Sequence, residues 1–108
     1  MIEHLNTFTK NGLLIGILSY DRANNIFLFE YDKAFMGFPF GELVIKNNVR
    51  KFTSDTIFHL FKIEESYGRD ELSNIYNLHN LDSNESQWHM ISNFIKKEYP
   101  NKGFYFES

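Results

Sequence analysis

Phe52-Thr53-Ser54-Asp55-Thr56-Ile57-Phe58-His59-Leu60-Phe61 is the stretch on which the fold turns, because the apolar period passes there from two to that of a helix. Thr53 or Ser54 is able to cap the first backbone N–H groups of a helix, and Asp55 suits its positive end. The spacing predicts a helix from about Ser54 to Glu65, with Ile57, Phe58 and Phe61 on one apolar stripe.

Upstream of that point the chain reads as strand and turn. Leu5 to Lys10 alternates polar and apolar residues, and Asn11-Gly12 then tolerates the positive φ of a tight hairpin turn. A second strand, Leu13 to Tyr20, folds back on the first. Asp21-Arg22-Ala23-Asn24-Asn25 is a polar break, and Ile26-Phe27-Leu28-Phe29-Glu30-Tyr31 resumes strand character, giving a three-stranded antiparallel meander. From Asp32 to Phe40 the signals conflict, since Lys33-Ala34-Phe35-Met36 suits a helical turn whereas Gly37, Pro39 and Gly41 punctuate it. The expectation there is an irregular crossover. Glu42 to Lys46 has the length and β-branched content of a further strand.

Downstream, Gly68 ends or bends the first helix, and Asp70 to Leu78 supports a short second one carrying Leu72, Ile75 and Tyr76. Asp82 can cap a third helix, with Glu85 reaching back to it and Trp88, Ile91, Ile95 and Tyr99 forming its apolar stripe. Pro100 closes that helix, and Phe104-Tyr105-Phe106 reads as a last strand at the sheet edge. The predicted class is α+β: a small antiparallel β-meander sheet packed with about three helices, in one domain over residues 1–108.

Twelve Phe, six Tyr and one Trp in 108 residues exceed what one modest core of this size readily buries. Surplus rings are therefore expected at the surface, where exposed aromatic clusters mark contacts with other proteins. A net charge of −3 supplies no basic stripe for phosphates, so direct nucleic-acid binding is not expected. With no cysteine, disulfides, thiolate metal sites and a cysteine nucleophile are excluded. The start of the chain lacks the cationic and apolar pattern of a signal peptide, and the longest apolar run, Leu13 to Leu18, is far too short to span a bilayer. A soluble cytoplasmic protein is expected, with no membrane partner.

His4, His59, His79 and His89 show no metal-ligand spacing, so no metal site is assigned. Glu64, Glu65, Arg69, Asp70 and Glu71 form a charge-dense bend that reads as a solvated turn more readily than as a general acid and base. Gly37-Phe38-Pro39-Phe40-Gly41 is not a phosphate cradle, and no catalytic or cofactor-binding residue is assigned anywhere. The aromatic residues around Phe58, Phe61 and Tyr67, and Trp88 with Tyr99 and the Phe104-Tyr105-Phe106 tail, are the remaining candidates. Each ring alone suits a core, but at least one is expected to be an exposed anchor.

Taken in order, Leu5-Asn6-Thr7-Phe8, Asn11-Gly12, Ile15-Gly16-Ile17-Leu18, Phe29-Glu30-Tyr31 with Phe35 and Pro39, and Thr53-Ser54-Asp55 with Ile57-Phe58 and Leu60-Phe61 form a pattern. Over residues 5–63 it resembles the N-terminal subdomain 1 of HipA-type serine/threonine kinase toxins, the part that precedes the kinase core. Tripartite HipBST toxin–antitoxin loci encode this subdomain as a separate small protein of the HipS type, beside a shortened HipT kinase and a DNA-binding HipB. The resemblance implies a non-enzymatic antitoxin that binds and neutralises a HipT-like serine/threonine kinase. The resemblance ends with the first helix; the contact is expected at the end of that helix and the loop after it, and the candidate partner-binding residues are Phe61, Glu64, Glu65, Tyr67 and, as an aromatic anchor, Trp88, the glutamates steering toward a cationic cleft. Whether a HipB-like protein is touched as well stays open. The alternatives are a scaffold that joins the kinase to the DNA-binding protein without inhibiting it, and a small enzyme using His59 or His79 with neighbouring carboxylates.

Overall fold

The computed structural model describes residues 2–35, 43–45, 49–62, 83–93 and 103–108. Among the described residues five strands run in the order β1 (Ile2–Thr9), β2 (Leu14–Asp21), β3 (Ile26–Tyr31), β4 (Lys51–Ser54) and β5 (Phe104–Glu107), with one α-helix, α1 (Asn84–Ser92), between the last two. All neighbouring pairs are antiparallel, and the sheet order is β4-β3-β2-β1-β5. The small α+β architecture read from the sequence is present, with one α-helix among the described residues where about three were expected.

The meander follows from its turns. Thr9 donates its N–H to Leu13 O at 2.8 Å, and Gly12 donates to Thr9 O at 2.9 Å, which closes a three-residue loop. Gly12 stands at φ 87°, a conformation that glycine adopts without the Cβ clash of other residues. At the next turn Asn25 takes φ 55°, in the left-handed region that asparagine tolerates. Between Thr7 and Phe8 the β1–β2 register shifts, and Gly16 lies opposite Thr7. A Cβ at Gly16 would lie 2.3 Å from Glu30 O, so only glycine allows β3 to pack at its present distance.

Leu5, Leu18, Phe27, Phe29, Tyr31 and Phe106 share one face of the sheet and are buried. Ile57, Phe58 and Phe61 from the segment after β4, and Trp88 and Ile91 from α1, complete the core. Phe61 packs on Phe29, Phe104 and Phe106 at centroid distances of 5.5–5.7 Å. Trp88 tilts against Tyr20 at 5.8 Å.

The stretch expected to open a long helix does otherwise. Lys51–Ser54 is an edge strand, and only His59–Phe61 forms a single 3₁₀ turn, closed by Phe61 N–H donating to Phe58 O at 2.9 Å. Pairing decides it: Phe52 stands across from Phe29, so its ring joins the core side of the sheet, and β-branched Thr53 suits a strand better than a helix. Ser54 Oγ accepts from Thr56 N–H at 3.2 Å and so makes a local turn in place of a helix cap. Ile57, Phe58 and Phe61 still reach the core, because a 3₁₀ turn also carries i and i+3 to one side.

In α1 the cap is Ser83, not Asp82: its side chain accepts from Ser86 N–H at 3.1 Å. The helix ends at Ser92, where the Ser92 and Asn93 side chains donate to the carbonyls of Trp88 and His89. The expected strand from Glu42 to Lys46 shows one bridge, at Leu43, within its described part. The start of the expected crossover is a turn, with Asp32 Oδ2 accepting from Ala34 N–H at 3.0 Å. The second helix expected from Asp70 to Leu78, and the positions Ile95 and Tyr99, lie outside the described residues.

Candidate protein-contact face

A sheet alternates its side chains, so the strands that send Leu5, Leu18, Phe29 and Phe52 inward present Ile2, His4, Ile17, Ser19, Leu28 and Lys51 on the other side. No described helix covers that side. Ile2 keeps 48 % of its surface exposed and Ile17 keeps 38 %. Together these side chains line a shallow concavity of about 260 Å³. His4 Nδ1 and Ser19 Oγ share a hydrogen bond of 2.6 Å at its centre, which satisfies the two polar groups across β1 and β2. At the rim, Lys51 approaches Glu30 at 3.9 Å. At the other end of the same face, Phe8 and Tyr105 stack at 5.3 Å. Exposed apolar side chains around a mutually satisfied polar pair, with a charged rim, suit a protein contact.

A second feature lies at the end of the sheet, where α1 begins. Arg22 Nε donates to both carboxylate oxygens of Glu85, at 2.5 and 2.9 Å, and a terminal nitrogen pairs with Glu3 at 2.5 Å. The guanidinium carbon lies 5.6 Å from the Tyr20 ring centroid. Burial first, and then the nearby Glu85 carboxylate, push the Tyr20 phenol above its ordinary pKa, whereas the Glu85 and Glu3 carboxylates raise that of Arg22. Asn84 completes the joint: its side-chain amide donates to Asn25 O, Asn25 Oδ1 and Asp55 O, the last at 2.8 Å. A concavity of about 380 Å³ borders this joint, and its one cation, Arg22, is already shared between the Glu3 and Glu85 carboxylates. Its chemistry is that of a clamp between helix and sheet.

The five candidate contact residues fare unequally. Phe61 is 0 % and Trp88 3 % exposed, so both are core residues and not surface anchors in this structure. Of the ring sets proposed as anchors, Phe58, Phe104 and Phe106 are buried as well, and Tyr105 keeps part of its ring accessible. Glu64, Glu65 and Tyr67, like His79, lie outside the described residues. Sequence reading missed the Ile17, Leu28 and Lys51 face. Its signal was present in Leu13 to Leu18, an apolar run without alternation, which on a strand means apolar side chains on both faces. Among the described residues no group of three or more His, Asp or Glu side chains is placed to hold a metal ion. No described helix is long and apolar enough to cross a membrane.

The chain matches no protein-family model, no curated protein and no solved structure.

Proposed function

We propose that this chain is a protein-binding module that acts as a HipS-type antitoxin, holding a HipT-like serine/threonine kinase inactive by direct contact. The reading rests on the ordered resemblance over residues 5–63 to the subdomain that precedes the kinase core in HipA-type toxins. The observation that favours binding is the apolar outer face of the sheet, with Ile2 and Ile17 exposed beside a concavity of protein side-chain size. In this account the contact is built on that face, and Phe61 and Trp88 serve it indirectly by holding the sheet flat against its core. Glu64, Glu65 and Tyr67 remain proposed rim contacts.

Co-expression with a HipT-like serine/threonine kinase tests the reading, scored for growth and co-purification. A stable complex with growth restored supports an antitoxin. A complex that restores growth only when the HipB-like protein is added makes the chain a scaffold between the two. Absence of a complex removes the antitoxin reading.

A further inference from the structure

Among the described residues the outermost strand on one side of the sheet is β4, and its backbone pattern can be read from its neighbours. Tyr31 N–H donates to Arg50 O at 3.0 Å, and Asp32 N–H donates to Ile15 O at 2.9 Å. In an antiparallel ladder, hydrogen-bonded and non-hydrogen-bonded pairs alternate. Arg50 with Tyr31 and Phe52 with Phe29 are therefore the bonded pairs, whereas Lys51 opposite Glu30 and Thr53 opposite Leu28 are not. The N–H and C=O groups of Lys51 and Thr53 consequently point away from β3, out of the sheet. Among the described residues nothing bonds to them on that side.

The flanking side chains carry their own chemistry. Lys51 stands on the outer face with 76 % of its side chain exposed, and its contact with Glu30 is loose at 3.9 Å. The neighbouring cation, Arg50, is already committed, since its guanidinium donates to Asp32 O and Phe35 O at 3.2 and 3.4 Å. On the core side Phe52 is only half-buried, meeting Tyr31 edge-on at 6.0 Å, because the sheet ends there. An incoming strand next to β4 would meet a cation on one parity and an apolar ring edge on the other.

From this geometry we infer that β4 is a strand-addition site for an extended partner segment in which acidic and apolar residues alternate. The segment hydrogen-bonds to the outward groups of Lys51 and Thr53, sets a carboxylate against Lys51, and lays an apolar side chain along Phe52. A second copy of this chain is a poorer occupant. Two β4 strands related by a two-fold axis at Phe52 set the second copy's Thr53, and no carboxylate, against Lys51, between copies that each carry a net charge of −3. As the docking point of the kinase, the site rests on the function proposed above. As a strand-addition edge it stands without it.

The probe is an eight-residue peptide of alternating glutamate and valine, capped at both ends, titrated into the chain and followed by amide NMR. Expected are shifts concentrated at Lys51 and Thr53, slowed amide exchange at both, and about two- to fivefold tighter binding than a lysine–valine peptide of the same length. Thr53→Pro removes only an outward donor, which an edge strand tolerates, and is expected to weaken binding at least tenfold with the rest of the spectrum retained. Lys51→Glu leaves the backbone intact and is expected to abolish the preference for the acidic peptide. Shifts elsewhere, no shifts, or unchanged affinity of both variants overturn the site. Co-purification with the kinase separates the two ideas. Peptide binding without a kinase complex contradicts the antitoxin reading and leaves the edge standing, whereas a kinase complex indifferent to Thr53→Pro and Lys51→Glu overturns the edge as its docking point and leaves the antitoxin reading.

Discussion

Arg22 and Glu85, 63 positions apart in the chain, meet through two contacts of 2.5 and 2.9 Å, and this pair fixes the start of α1 to the turn between β2 and β3. Both side chains are substantially exposed, so salt screens the attraction. Arg22→Ala is expected to lower the urea midpoint at low ionic strength, with the difference from the wild type shrinking at 1 M salt. A loss that does not change with salt would assign the role to the packing of the guanidinium on Tyr20.

Gly16 is the tightest point of the sheet, since a Cβ there would also approach Phe29 Cζ to 2.9 Å. Gly16→Ala must push β3 outward or bend it, and by the usual cost of overpacking it should destabilise the chain by about 1–3 kcal/mol. Denaturant titration measures it. An alanine variant as stable as the wild type would mean that the two strands separate at little cost.

Asp21 carries the acid sensitivity of the second hairpin. Its carboxylate accepts from the Asn24 side-chain amide at 2.8 Å and from Asn24 N–H at 3.2 Å, and these bonds, the side-chain one foremost, lower its pKa below the ordinary 3.8. The folded state therefore binds that proton less readily than the unfolded one. The stabilisation is complete above the unfolded value and is lost as pH falls through the lower folded value. Urea midpoints measured from neutral pH downward should fall below about pH 4 in the wild type. That fall should be shallower in Asp21→Asn.

Phe61 and Trp88 are expected to act on stability before they act on any partner. Truncating a ring this deeply buried costs about 3–5 kcal/mol, a large part of what a domain of this size has. Phe61→Ala and Trp88→Ala should lose cooperative unfolding or shift it strongly, and any loss of binding then reports unfolding. Ile17→Glu, on the exposed face, should unfold near the wild-type midpoint and still fail to bind the partner.

Local chemistry made much of this sheet readable. Asn11-Gly12 and Asn24-Asn25 mark the two turns of the meander, Ile26–Tyr31 is bounded as its composition implies, and the terminal Phe104–Glu107 strand is visible as a ring-rich alternation. β4 was not, because Thr53, Ser54 and Asp55 also compose a good helix entry, and only the distant Phe29 opposite Phe52 decides for a strand. Ring count likewise could not tell anchors from core: Phe61 and Trp88 are buried by Phe29, Phe106 and Tyr20, none of them near in the chain. The outer face was hidden for a related reason. Its residues come one or two from each strand and become a surface only when register sets Ile17 across from Glu30 and Ser19 across from Leu28.

The most direct measurement of the proposed function is the phosphorylation activity of a purified HipT-like kinase as this chain is added up to and past one equivalent. The account expects activity to fall to a low plateau at one to one, and to stay high when folded Ile17→Glu is added instead. Undiminished kinase activity in the presence of saturating wild-type chain would contradict it.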